Sequence, residues 1–224
     1  MTARRDWLSL LLRAAVWLAA GLTFSVFLSL VGYVLIRGVP NLAPELFSWK
    51  YTSDNGSMLP AIVSTALMTA ISLLAAVPLG VFAAIYLTEY AGRGNRLVKA
   101  VRLTSETLAG IPSIVYGLFG YLFFLVRLKW DYSLLAGAMT LAIMILPLIM
   151  RTTEEALLSV PDGFREGSYA LGAGRLRTIF RIALPTAVPG ILAGVILAPG
   201  RIVGETAALL YTAGTYPQLP EGLF

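Results

Sequence analysis

Residues Tyr132–Met150 read YSLLAGAMTLAIMILPLIM, a stretch with no charged side chain, closed by Asp131 on one side and Arg151 on the other. As an α-helix such a stretch is about 28 Å long, close to the roughly 30 Å of a bilayer's hydrocarbon core. Backbone polar groups in lipid must pair within their own segment, which dictates a helix for an isolated apolar run. The alternation over about ten residues that marks a membrane β-strand is absent.

Working outward, four more uncharged stretches have the same character. They are Ala14–Ile36, Asn55–Thr88, Thr107–Val126 and Ile182–Gly200, the last continuing in apolar residues to Tyr211. The whole chain of 224 residues is 58% hydrophobic and 13% charged, against about 25% charged for ordinary soluble domains. Its mean hydropathy is +0.79. The first stretch is too long for a signal-peptide core and ends in no small-residue cleavage pattern, so it reads as a retained helix. The fold class is therefore all-α, a polytopic transmembrane helical bundle.

Lys and Arg in the connecting segments set the orientation. With the N-terminus in the cytoplasm, the inner segments hold Arg4, Arg5, Arg13, Arg93, Arg96, Lys99, Arg102, Arg151, Arg165, Arg175, Arg177 and Arg181. The outer ones hold only Arg37, Lys50, Arg127 and Lys129. The net charge of +5 is thus a topology signal and not a nucleic-acid footprint. Trp7, Trp17, Tyr33, Trp49, Tyr51, Tyr86 and Trp130 cluster near segment ends, as interfacial anchors do. Five spans make residues 1–13 a cytoplasmic N-terminus, 14–212 the transmembrane part and 213–224 an extracytoplasmic loop.

Cysteine and histidine are absent, which removes disulfides, thiolate metal sites and the commonest ligand and general base. No G-x-x-x-x-G-K-[ST] phosphate loop occurs, so ATP hydrolysis by this chain is not expected, and Gly92-Arg-Gly94 reads as a turn. No metal, cofactor or catalytic group is expected in the chain itself.

Two features carry function. The first is the long inner segment 151–182 and its return to the membrane. Glu154–Leu158 reads as one short helix, Pro161-Asp162-Gly163 as a turn, and Phe164–Leu171 as a second helix with Phe164 and Leu171 on one face. Gly172 and Gly174 are candidate C-terminal caps. The second is a pair of charges, Arg201 and Glu205, that interrupt the last apolar stretch. Four residues apart, they are expected to share a helical face and pair, with Thr206 adding a hydroxyl. Intramembrane charges face a bundle interior or a water-filled path. A guanidinium fork suits an oxyanion at any working pH. Arg151, followed by Thr152 and Thr153, is a second candidate, with a simple inner-end anchor as the competing reading. Gly190 and Gly194 are spaced as a helix-packing face, and Pro78 with Gly80 as a kink.

These residues bear a family resemblance. Glu166-Gly-Ser-Tyr-Ala-Leu-Gly172, nine residues, then Ile182-Ala-Leu-Pro185 resembles the E-A-A-x3-G-x9-I-x-L-P loop of ABC importer permeases. Glu166, Gly172, Ile182, Leu184 and Pro185 match, and Gly167 and Ser168 replace the two alanines. Gly200-Arg-Ile-Val-Gly-Glu-Thr-Ala-Ala-Leu-Leu-Tyr-Thr-Ala-Gly214 is similar to the G-R-x-x-G-E-T-A-P-L-L-F-T-A segment of phosphate permease A subunits, with Ala208 in place of proline. Leu146–Glu155 and Ala109–Gly117 resemble the L-P-x-x-x-R-T-T-E-E and A-G-x-P-S-I-V-x-G stretches of the same family.

The resemblance implies a type I ABC importer permease with a MetI-like bundle. It implies a coupling helix (Phe164, Glu166, Gly167, Ser168, Leu171, Gly172) that docks on an ATPase subunit. It also implies a phosphate path at Arg151, Arg201, Glu205 and Thr206. The implied partners are a homologous second permease of the C type, a dimer of ATP-binding subunits that carry ATP and magnesium, and an extracytoplasmic phosphate-binding protein. The membrane is the prokaryotic plasma membrane. The family's sixth helix is expected to be missing from this chain. A permease for sulfate or molybdate, an intramembrane enzyme acting on lipid head groups and a passive anion channel remain as alternatives.

Overall fold

Residues 3–52, 55–91 and 95–214 are described by the computed structural model. The expected turn at Gly92–Gly94 and, beyond Gly214, the expected loop to Phe224 lie outside the described residues. All regular structure among the described residues is helical.

The chain divides into two compact units. One holds Met1–Ser48 and Thr52–Ser57, the other Trp49–Tyr51 and everything from Met58. Helix α1 (Ala3–Gly38) dominates the first unit. Its side chains from Trp7 onward are almost all exposed, Trp17, Leu18 and Leu22 among them. An apolar surface all round a helix is what lipid requires and what water would not tolerate.

The second unit is built around α5 (Leu134–Leu158), whose apolar stretch is two-thirds buried within the bundle. On it pack α2 (Leu59–Ile85, continued by a wide π-turn at Tyr86–Tyr90) and α8 (Leu184–Val203). Leu141, Met144, Ile145 and Ile149 of α5 are fully buried against Ala76 of α2 and Ala198 and Ile202 of α8. Small residues permit the close approach. A Cβ on Gly194 would collide with Thr152, and one on Gly190 would sit 2.7 Å from the Ala156 Cβ. The G-x-x-x-G spacing is thus a packing face against α5, as association without a hydrophobic driving force demands. A buried Ser72 hydroxyl donates to the Ala138 carbonyl at 2.8 Å, tying α2 to α5. Pro78 lies within α2 without ending it.

Four helices are long and apolar enough to cross a membrane: Trp7–Asn41, Leu59–Tyr90, Leu134–Leu158 and Arg175–Val203. The expected third span, Thr107–Val126, is not one straight helix. It is divided between α3 (Arg96–Ala109) and α4 (Ser113–Gly120, continued by a π-turn to Arg127), which meet at 104°. Proline carries no N–H and disfavours a helical residue before it, so Ile111-Pro112 stops α3 and starts α4. The buried Tyr116 donates its hydroxyl to the Leu108 carbonyl at 2.8 Å, satisfying an acceptor at the end of α3.

The last stretch is also broken. Helix α8 ends at Val203, Gly204–Thr206 is non-helical, and α9 (Ala207–Thr212) continues to the start of α5, where Ser133 N–H donates to the Thr212 carbonyl at 3.3 Å. Gly117 of α4 touches α9 so closely that a Cβ would lie 2.8 Å from the Ala208 Cα.

Candidate functional site

The inner loop is one helix and not two. Glu154–Leu158 completes α5, and α6 (Asp162–Ala170) is the only separate helix before α7 (Arg175–Thr178), which joins α8 through a π-turn at Ile179–Ala183. Helix-forming residues simply extend a helix already nucleated. Gly172 ends α6 with φ +81°, a conformation only glycine adopts without strain. Its N–H donates to the Tyr169 carbonyl at 2.9 Å and that of Ala173 to the Ser168 carbonyl at 3.1 Å, a Schellman cap. Gly174 instead precedes α7 as its N-cap.

The cap presents Leu171 to solvent, 90% exposed, with Phe164 exposed nearby in sequence on the same helix. Glu166 and Gly167 are exposed as well. Ser168, expected on this surface, is buried: its hydroxyl lies 2.8 Å from that of Thr178. It holds α6 on α7 and offers nothing outward.

What fixes α6 is a contact the sequence did not announce. Glu89, in the π-turn that ends α2, is 7% exposed and receives Arg165 of α6 through Nε at 3.1 Å and Nη2 at 2.8 Å. The same guanidinium donates to the Val160 carbonyl at 2.7 Å and the Leu157 carbonyl at 2.8 Å. Arg175 donates to the Glu89 carbonyl and stacks 4.9 Å from the Tyr90 ring centroid. A buried carboxylate is stable only when its oxygens are paired, and the bidentate fork does this with a defined orientation.

The intramembrane charges differ from expectation in geometry. Because α8 ends at Val203, Arg201 and Glu205 do not share a helical face. The Glu205 carboxylate turns to accept the Ala208 N–H at 3.1 Å, capping α9, and no ion pair joins it to Arg201 among the described residues. Carboxylates are favoured at helix N-termini, where backbone N–H groups lack partners. Thr206 stands at the break, exposed, with its side chain in no cap bond.

Arg151 and Arg201 nevertheless line one cleft of about 470 Å³ between α3, α5 and α8. Arg102 and Glu106 of α3 and Glu154 and Glu155 of α5 complete its charged lining. Arg151 is exposed and paired with Glu155 at 2.9 Å one helical turn on; Arg102 pairs with the buried Glu154. Three guanidinium groups facing three carboxylates hold an anion by exchange of partners. Of these residues, only Arg151 and Arg201 stood out in the sequence. Arg102 looked like one more inner-side charge, because the bend that brings α3 over the cleft is invisible in composition.

Residues 76–221 match the model of the family described as binding-protein-dependent transport system inner membrane component. The chain is 37% identical to the probable ABC transporter permease protein YqgI of Bacillus subtilis (strain 168), over 90% of this chain and 69% of that one. It is 42% identical to the phosphate transport system permease protein PstA of Pasteurella multocida (strain Pm70), covering 80% of this chain and 64% of that protein. For PstA 1 of Mycobacterium tuberculosis (strain CDC 1551 / Oshkosh) the identity is 40%, over 80% and 55%. The chain thus spans less than two thirds of the length of both these phosphate permeases. Among solved structures, the inward-facing MetNI methionine ABC transporter superposes with a TM-score of 0.54 at 25% identity, over 66% of this chain and 68% of that chain. The broken helices, the capped inner helix and these matches agree: the chain belongs to the binding-protein-dependent transport system inner membrane component family.

Proposed function

We propose that this chain is a transmembrane permease subunit of an ATP-driven inorganic phosphate importer. The observation that carries the reading is the single cleft lined by Arg151 and Arg201, with Glu205 and Thr206 at the helix break beside it. A tetrahedral oxyanion with several acceptor oxygens matches converging guanidinium forks, and several relatives are phosphate permeases by name. A second, homologous permease supplies the opposite wall of the path, and an extracytoplasmic binding protein delivers the anion. Two ATPase subunits receive α6 through Phe164, Glu166, Gly167 and Leu171, with Gly172 fixing the exit of the chain. The N-terminus is cytoplasmic, consistent with the Lys and Arg bias of the inner segments.

The test is labelled-phosphate uptake by proteoliposomes holding the complete complex, with and without ATP on the inner face and with excess sulfate. ATP-dependent uptake that sulfate does not suppress is expected, and Arg201→Leu abolishes it while the complex still assembles. Suppression by sulfate changes the substrate; uptake without ATP makes the chain a channel.

A further inference from the structure

A second, more open cleft of about 530 Å³ lies at the α6 end of the bundle. It is lined by Lys99, Arg102, Arg165 and Arg175, with Glu89 and Asp162 as the carboxylates. Four cations against two carboxylates make it net positive, whereas the first cleft holds three of each. Arg102 lines both clefts, as does Leu158 on α5. Between the two spaces stands the pair formed by Arg102 and Glu154.

The partners of that pair are unequal. The Glu154 side chain is 11% exposed and that of Arg102 45%. Glu154 is fixed within α5, and among the described residues Arg102 is the one cation within ion-pair reach of it. Arg102 rides on α3, which joins the rest of the bundle through the bend at Gly110–Pro112 and makes few other polar contacts with it. A guanidinium with five donors can take a second acceptor before it releases the first. The geometry therefore offers an exchange. An anion held by Arg151 and Arg201 is met from the other side by Arg102, which gives up Glu154, turns toward the net-positive cleft and returns to Glu154 once the anion has gone. A buried carboxylate left without a partner is unfavourable, so the pair re-forms when no anion is present.

We infer that Arg102 is a third arginine of the anion path, bolted by Glu154 between two clefts, and that it passes the anion from the Arg151–Arg201 cleft to the one beside α6. This rests on the phosphate-path reading of the first cleft. It adds a specific step: the two spaces communicate only when Arg102 leaves Glu154.

The experiment uses the assembled complex in proteoliposomes and inorganic phosphate as the probe. Arg102→Gln lowers ATP-driven phosphate uptake by at least about tenfold, the loss expected for a charge-assisted contact, while ATPase stimulation by the binding protein persists. Glu154→Gln speeds the ATP-independent escape of trapped phosphate severalfold, since the bolt is gone. The exchanged double variant, Arg102→Glu with Glu154→Arg, restores the ion pair but moves the cation onto α5; it assembles and transports no better than Arg102→Gln. Uptake by the exchanged variant within about twofold of wild type makes the pair merely structural and overturns the inference, as does unchanged escape in Glu154→Gln. If Arg102→Gln does not assemble, the exchanged variant decides alone. Wild-type uptake by Arg102→Gln beside a dead Arg201→Leu defeats this inference only; wild-type uptake by both defeats the phosphate-path reading beneath it.

Discussion

Replacing Glu89 by Gln tests whether α6 is held to α2 by charge. The Glu89 and Arg165 side chains are 7% and 14% exposed, and two guanidinium nitrogens reach the same carboxylate oxygen. Removing one partner of a buried pair costs about 3–5 kcal/mol, because the other charge stays behind in a poor environment. Arg165 keeps the Leu157 and Val160 carbonyls and has Asp162 at 3.4 Å, which places the cost at the lower end, about 3 kcal/mol. At roughly 1.4 kcal/mol per factor of ten, α6 then detaches on the order of a hundred times more often. Amide hydrogen exchange reads such local opening directly. The expected result is faster exchange across 164–171 by about two orders of magnitude, with α5 and α8 unchanged. In the reconstituted complex, the phosphate moved per ATP hydrolysed falls. Exchange of α6 amides at the wild-type rate in Glu89→Gln refutes the argument, for it would mean that the backbone bonds and Ser168 suffice.

Two further substitutions probe packing. Gly194→Leu forces a side chain into Thr152 and is expected to lower stability by about 1–3 kcal/mol or more, seen as loss of monodisperse protein in detergent. Gly32→Ala, in α1 with open space around it, leaves the yield intact. Tyr116→Phe deletes the hydroxyl that caps the Leu108 carbonyl at the bend and lowers thermal stability by about 1 kcal/mol; an unchanged melting temperature would mean that water satisfies that carbonyl.

Much of the architecture could be read from charge alone, because lipid excludes charge so strongly that each span is bounded by the residues it lacks. Tyr132–Met150 and Asn55–Thr88 lie within a residue or a few of the cores of α5 and α2, although α5 runs two further turns to Leu158. The same reasoning failed at Gly110-Ile111-Pro112. A backbone break between uncharged residues leaves a hydropathy profile unmarked, so the third span was drawn straight. It failed again at Gly204, where spacing four along an assumed helix paired Arg201 with Glu205, and the helix had already ended. In the inner loop, fixed spacing identified Gly172 as a cap. The contacts that matter most there join residues 76 apart, Glu89 and Arg165, and no local periodicity reports on a pairing of that range. Arg151 and Arg201 stood out because each is a charge against an apolar background. Arg102 and Glu154 did not, because they sit among other charges.

The π-turns at Tyr86–Tyr90 and Ile179–Ala183 have a rotational consequence. Each wide turn accommodates about one more residue than an α-turn, and one residue of α-helix corresponds to about 100° about its axis. The residues beyond each turn are therefore out of phase with the helix that carries them. Glu89 reaches Arg165 because α2 has been re-phased before it ends, and α7 meets the membrane helix α8 across a similar offset. A single-residue deletion in either turn would restore an ordinary helix and swing everything past it by more than a quarter of a circle. In this protein the alignment between the inner helix and the membrane bundle is thus set by residue count as much as by residue identity.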